Sequence, residues 1–189
     1  MTDPAVATTP DEVLKFWVEE VGPDSWYASD DALDLTIRSR FGGAITTARS
    51  GDLCHWVLKP SSALALLILL DQFPRNVYRG APSAFASDAK AVRVTKTAIA
   101  LGHDLKIDEP ERQFFYLPLM HSESLADQSR CVRLILTRMP LTGGNNLSFA
   151  VEHREVVRQF GRFPYRNKAL GRRSSDAEQA FLEELERAP

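Results

Sequence analysis

The sequence predicts an all-α fold of about eight helices, paired antiparallel and either stacked as an α-solenoid or closed into a compact bundle. Apolar residues recur at spacings of three and four along most of the chain. Capping residues precede these runs and glycine or proline follows them, whereas no stretch alternates apolar and polar residues as a half-buried strand does. A 34-residue repeat is not visible.

Thr9-Pro10-Asp11-Glu12 supplies an N-cap, a first-turn proline and an acid three residues on, so a first helix of about three turns starts there and buries Val13, Leu14, Phe16 and Trp17. Ser29-Asp30-Asp31 opens a longer one through Leu33, Ile37, Phe41, Ile45 and Ala48, with Gly42-Gly43 a candidate kink and Gly51 the stop. Pro60-Ser61-Ser62 starts a run that is apolar on nearly every side up to Leu70, which predicts a central helix ending at Pro74. Ser83 or Ser87 caps a helix carrying Ala91, Val94, Ala98 and Ile99, closed by Gly102. Asp108-Glu109-Pro110-Glu111 begins another, which Pro118 disturbs. Ser124 with Asp127 starts the helix of Val132, Ile135 and Leu136, which Met139-Pro140 closes. After the loop Thr142 to Asn146, a seventh helix covers Leu147 to Phe160, and Ser175 with Glu178 caps an eighth over Ala180 to Glu186. Connections are too short to separate domains, so residues 9–187 form one domain behind a frayed arm of residues 1–8.

Composition narrows the function classes. A net charge of -2 argues against nucleic-acid and membrane-surface binding, which call for a basic excess. The apolar run before Leu70 is too short to span a bilayer, the N-terminus has no signal-peptide pattern, and Cys54 and Cys131 are too few for a disulfide framework or a cysteine metal site. A cytoplasmic protein is expected. The basic residues are 17 arginines against 6 lysines, and Arg154 to Arg173 holds six of those arginines and Lys168 against the single acid Glu155. Arginine suits bidentate contacts to carboxylate or phosphate.

Leu70-Asp71-Gln72-Phe73-Pro74-Arg75-Asn76 and Phe160-Gly161-Arg162-Phe163-Pro164-Tyr165-Arg166-Asn167 close helical runs with the same residue order, each followed by a glycine beside an arginine, at Arg79-Gly80 and Gly171-Arg172. Two matched helix ends can bring guanidinium groups together, which points to an anion site. Cations also suit the last turn of a helix, by about 0.3–1 kcal/mol each, so position alone explains part of the pattern. Asp71, after five apolar residues, needs a cationic partner, and Arg75 four residues on is the nearest. Asp88 reads either as a first-turn acid or as a site carboxylate. The segment from Tyr116 to His121-Ser122-Glu123, followed by Gln128, places an imidazole, a hydroxyl and a carboxylate at a turn: His121 and Glu123 suit a general base with its orienting acid, or two metal ligands, and Ser122 or Ser124 suits a helix cap. His153 lies inside a helix, one to two turns before the second motif. A phosphate loop, a dinucleotide fingerprint, His-Glu-x-x-His and Gly-x-Ser-x-Gly are all missing.

Phe16-Trp17, Trp26-Tyr27, the two Phe-Pro motifs, Tyr78-Arg79-Gly80, Phe85 with Asp88, Tyr116-x-Pro118-Leu119-x-His121-Ser122-Glu123, Gln128, His153-Arg154 and Leu170-Gly171-Arg172 together resemble the family catalogued as domain of unknown function 924, over about residues 11 to 183. The resemblance implies a helical fold like tetratricopeptide arrays, in bacterial cytosolic proteins and some eukaryotic relatives, and no named activity. Tyr165 stands where the resemblance places a histidine, and a phenol is a poor base near neutrality.

Three readings compete at this level. The first is an enzyme, a hydrolase for a small carboxylate- or phosphate-bearing substrate: Arg75, Arg79, Arg162 and Arg166 clamp the anion, Asn76 and Asn167 hold neighbouring polar groups, and His121 with Glu123, or His153, moves the proton. Asp71, Gln72, Asp88, Tyr116, Gln128, Tyr165 and Arg172 complete the candidate set. No cofactor is expected, and a metal variant that gathers His121, Glu123, His153 and Asp71 or Asp88 matches no specific ligand spacing. The second is a helical binding module for an acidic or C-terminal peptide. The third needs no ligand: the polar motifs form a buried salt-bridge network that fixes helix register. Oligomeric state is open.

Overall fold

A computed structural model describes residues 8–187, which are all-α, with no strand among them. The frayed arm expected over residues 1–8 falls, except for Thr8, outside the described residues.

Helix α1 (Pro10–Leu14) opens on the expected capping box, in which Thr9 and Glu12 satisfy each other's backbone amides, and runs on without a break through a π-helical stretch, Lys15–Val21. Helix α2 (Asp31–Ser50) is capped by the Asp30 carboxylate on the amides of Ala32 and Leu33, and it ends at Gly51, whose φ of 107° is open to a residue without Cβ. Gly42-Gly43 does not interrupt it.

The central rod departs from expectation. Helix α3 (Pro60–Leu67) passes through a π-helical turn, Ile68–Gln72, into α4 (Phe73–Val77), so the chain stays helical beyond Pro74. The extra residue in the turn explains this. Phe73 N–H bonds to the carbonyl of Ile68, five residues back, and Pro74 then sits in the first turn of α4, where it needs no donor. Every side chain from Ala63 to Pro74 is buried, Asp71 and Gln72 included.

Helix α5 (Asp88–Ala100) follows a short 3-10 turn, Pro82–Ala84. The helix expected from Asp108 is a 3-10 turn instead (Glu111–Phe115), and Pro118 lies in the first turn of the short α6 (Leu117–Met120), opening a helix where the sequence suggested an end. Helix α7 (Leu125–Arg138) begins at Ser124, whose side chain makes no cap bond; its amide instead donates to Ser122 Oγ. Helix α8 (Gly144–Phe160) starts inside the predicted loop, and Gly143 before it packs against Met139 and Ile135 too closely for any Cβ. Helix α9 (Asp176–Arg187) has the expected Ser175–Glu178 capping box.

One hydrophobic cluster runs from Val13 to Ala150. The rod lies at its centre: α1 and α5 pack on α3, α2 packs on α4, and α5 also meets both the π-helical turn and α6. That last contact brings the polar residues of three elements together. Among the described residues no helix is long and apolar enough to cross a membrane.

Candidate functional site

Asp71 hangs from the π-helical turn at 1% exposure, against His121, which lines an open cleft of about 490 Å³. A carboxylate so buried needs compensation. Its Oδ1 lies 2.7 Å from His121 Nδ1 and 3.3 Å from Arg75 Nη2, and its Oδ2 accepts from Gln72 Nε2 at 2.5 Å. Burial pushes the Asp71 pKa up, but the charges of His121 and Arg75 and the bonds from His121 and Gln72 outweigh it and hold the carboxyl at about 2. An ionised carboxylate only accepts, so His121 donates Nδ1–H and, in the neutral ring, keeps the Nε2 lone pair free. The imidazole lines the cleft, and Nε2 makes no hydrogen bond to the described residues.

Asp88, the first residue of α5, joins the two repeated motifs. Its Oδ1 accepts from Arg75 Nη2 at 2.9 Å and its Oδ2 from Arg166 Nη1 at 3.1 Å. Burial, helped by the neighbouring Asp71, raises the Asp88 pKa against the pull of Arg75, His121 and Arg166. Arg166 sits on a 3-10 turn (Pro164–Arg166) with its guanidinium 4.8 Å from the Phe85 ring and 4.4 Å from the Phe163 ring. Burial first, then the nearby Arg75, lowers the pKa of Arg166. Only Nη1 of this guanidinium makes a hydrogen bond to the described residues, and its buried Nε has no partner.

Glu123 does not orient His121. It takes both terminal nitrogens of Arg172, at 2.7 and 2.9 Å, and the amide of Phe163 at 2.9 Å, and these bonds lower its pKa against burial. Arg172 continues to the carbonyl of Phe163 and to Asn167 Oδ1, while Asn167 donates to Ser174. This staple ties the second motif to the turn that carries His121. Gln128, fully buried, donates to the carbonyls of Met120 and Ser122 and fixes the same turn from α7.

The remaining predicted residues lie elsewhere. The four-arginine clamp does not assemble, because Arg79 and Asn76 turn to Asp34 on α2 and Arg162 forms a bidentate pair with Glu178. Glu155 takes Arg154 and Arg158. Tyr116 is fully buried and donates to Asp104, which Arg138 also holds. His153 donates Nδ1–H to the carbonyl of Phe149 and meets Phe163 edge-on; burial lowers its pKa to about 4. Tyr165 is 44% exposed and stacks on Phe163. A shared metal among His121, Glu123 and His153 is not formed by this geometry, and no cluster of three or more His, Cys, Asp or Glu side chains among the described residues could hold one.

Two features escaped the sequence. Lys96 and Ser122 both bind Asp127, at 2.6 and 3.0 Å, on the cleft wall, where the sequence offered only a helix cap. The cleft lining also includes apolar Pro82, Phe85, Ala86, Ala89, Val92 and Leu170, which helical periodicity cannot tell from core.

No curated protein matches the chain. A solved structure described as a protein of unknown function from Agrobacterium tumefaciens is similar to it, at 42% sequence identity and a TM-score of 0.86, covering 93% of this chain and 97% of that one. The family model described as bacterial protein of unknown function matches residues 13–186, so the chain belongs to that family, domain of unknown function 924.

Proposed function

We propose that the cleft is an acid–base site for hydrolysis of a small anionic substrate. The observation that carries the reading is the 2.7 Å contact between buried Asp71 and His121 Nδ1, which presents Nε2 to a cleft edged by the incompletely engaged Arg166. In this reading Nε2 takes a proton from water, the water oxygen attacks an electrophilic carbon or phosphorus, the bond to the leaving group breaks, and His121 returns the proton to that group. Asp71 fixes the tautomer and steadies the imidazolium, while Arg166 positions the anion. A cleft of about 490 Å³ suits a small molecule better than a peptide groove, and a peptide clamp has no use for the dyad.

The test is hydrolysis of a chromogenic ester, amide and phosphate panel by the wild type and by His121→Gln and Asp71→Asn. Both variants lose about 10²–10⁴ in kcat on the substrate the wild type turns over, with circular dichroism unchanged. Turnover that survives His121→Gln would sink the proposal.

A further inference from the structure

We infer that the ligand of this cleft is a monocarboxylate bearing an apolar tail, rather than a phosphate ester. The inference rests on the acid–base reading only in placing the ligand in the same cleft. Three observations lead there.

The first is charge. The ionised side chains in and behind the cleft cancel: Asp71, Asp88, Glu123 and Asp127 pair with Arg75, Arg166, Arg172 and Lys96. A ligand therefore meets no standing positive excess. Among the described residues, the one cation on the wall with unengaged donors, Arg166, can answer a single negative charge. A phosphate monoester near neutrality carries close to two negative charges and would face Asp88, Glu123 and Asp127 on the walls with half of its charge uncompensated.

The second is the donor. Arg166 is 94% buried and clamped between Phe85 and Phe163, with only Nη1 engaged, by Asp88. A guanidinium nitrogen left unengaged beside a cleft suits a charge-assisted bond to a carboxylate oxygen. Arg166 Nη2 makes no hydrogen bond to the described residues and is not closed off as Nε is, so it is the donor a bound carboxylate engages. The third is the wall. Pro82, Phe85, Ala86, Ala89, Val92 and Leu170 make half of the cleft lining apolar. A tail laid there loses water, and a short polar anion gains nothing from it.

Titration calorimetry at neutral pH with butyrate, hexanoate, octanoate and N-acetylleucine, against octyl phosphate and octanol, tests the inference. Affinity should rise about fourfold per buried methylene along the carboxylates, and octyl phosphate and octanol should each bind at least tenfold more weakly than octanoate. The relative affinities of octanoate and N-acetylleucine tell whether the tail is an aliphatic chain or the terminal residue of a peptide. Arg166→Gln should abolish the preference for octanoate over octanol. Because Arg166 is buried and its loss can unfold the chain, Ala89→Trp, at an exposed position on the wall, provides the second variant and should block octanoate without loss of fold. Octyl phosphate binding as tightly as octanoate, affinity independent of chain length, or no carboxylate binding at all would each overturn the inference. Binding is measured apart from turnover, so octanoate held by a protein that hydrolyses nothing would sink the acid–base proposal and leave the ligand class standing.

Discussion

Asp71, buried, and His153, partly buried, are two ionisable side chains with opposite consequences for the site and a shared one for stability. Asp71 is kept charged by partners, and His153 is kept neutral by burial. The folded pKa of His153 lies below the ordinary imidazole value of 6.5, so the unfolded chain takes up that proton first and stability drains as pH falls from 6.5 towards about 4. The folded pKa of Asp71 lies below the ordinary 3.8, so its contribution is full above that value and is lost as pH falls towards about 2. Each loss is on the order of 2 kcal/mol. Denaturant midpoints taken between pH 7 and pH 2 should therefore fall in two stages, and His153→Gln, which keeps a donor for Phe149, should flatten the upper stage alone. A midpoint in the variant that falls as steeply as in the wild type between pH 6.5 and 4.5 would contradict the assignment. At this scale the sequence was informative about need and less so about partners. A carboxylate after five apolar residues had to be compensated, and Arg75 four residues on does compensate it; but the shorter bond comes from His121, fifty residues away, a pairing that only tertiary packing sets.

The element that shapes the site is the π-helical turn Ile68–Gln72. An ordinary α-helix would run into Pro74 with a missing donor and a clash, and the inserted residue relieves both while setting where Asp71 and Gln72 point. Pro74→Ala removes the reason for the turn. Its melting temperature should stay the same or rise, and octanoate affinity should drop, since a regular helix rotates Asp71 away from His121. Unchanged affinity in a protein of unchanged stability would show that the turn is held by packing instead. The Glu123–Arg172 staple makes a different prediction. Both side chains keep about a quarter of their surface exposed, so Arg172→Ala should cost about 2 kcal/mol, less than the roughly 3–5 of a fully buried pair, and should weaken ligand binding by loosening the turn that carries Arg166; thermal melting with calorimetry checks both. Helix starts marked by capping boxes at Thr9 and Ser175 were legible because the box is local chemistry. The rod beyond Pro74 and the opening of α6 at Pro118 were not, because proline reads alike whether it closes a helix or sits in its first turn.

Across the whole molecule, the repeated Phe-Pro-Arg-Asn ends do converge, but through one residue of each: Arg75 and Arg166 meet on Asp88. The two asparagines part, one to α2 and one to the loop before α9. The repeat therefore named the place and misjudged its electrostatics, since matched arginines suggest an anion clamp while the carboxylates that neutralise them come from α5, the α6–α7 turn and the central rod. Charge balance of this kind is a property of the assembled fold. It leaves His121, set by Asp71, as the centre of the account, and the tautomer of that ring can be measured without knowing any substrate. In 15N-histidine NMR spectra of the wild type at a pH where the ring is neutral, His121 should show a protonated Nδ1 and a bare Nε2, with the Nδ1 proton signal lost or shifted in Asp71→Asn. A proton on Nε2, or a His121 signal indifferent to Asp71→Asn, would contradict the dyad and with it the acid–base site.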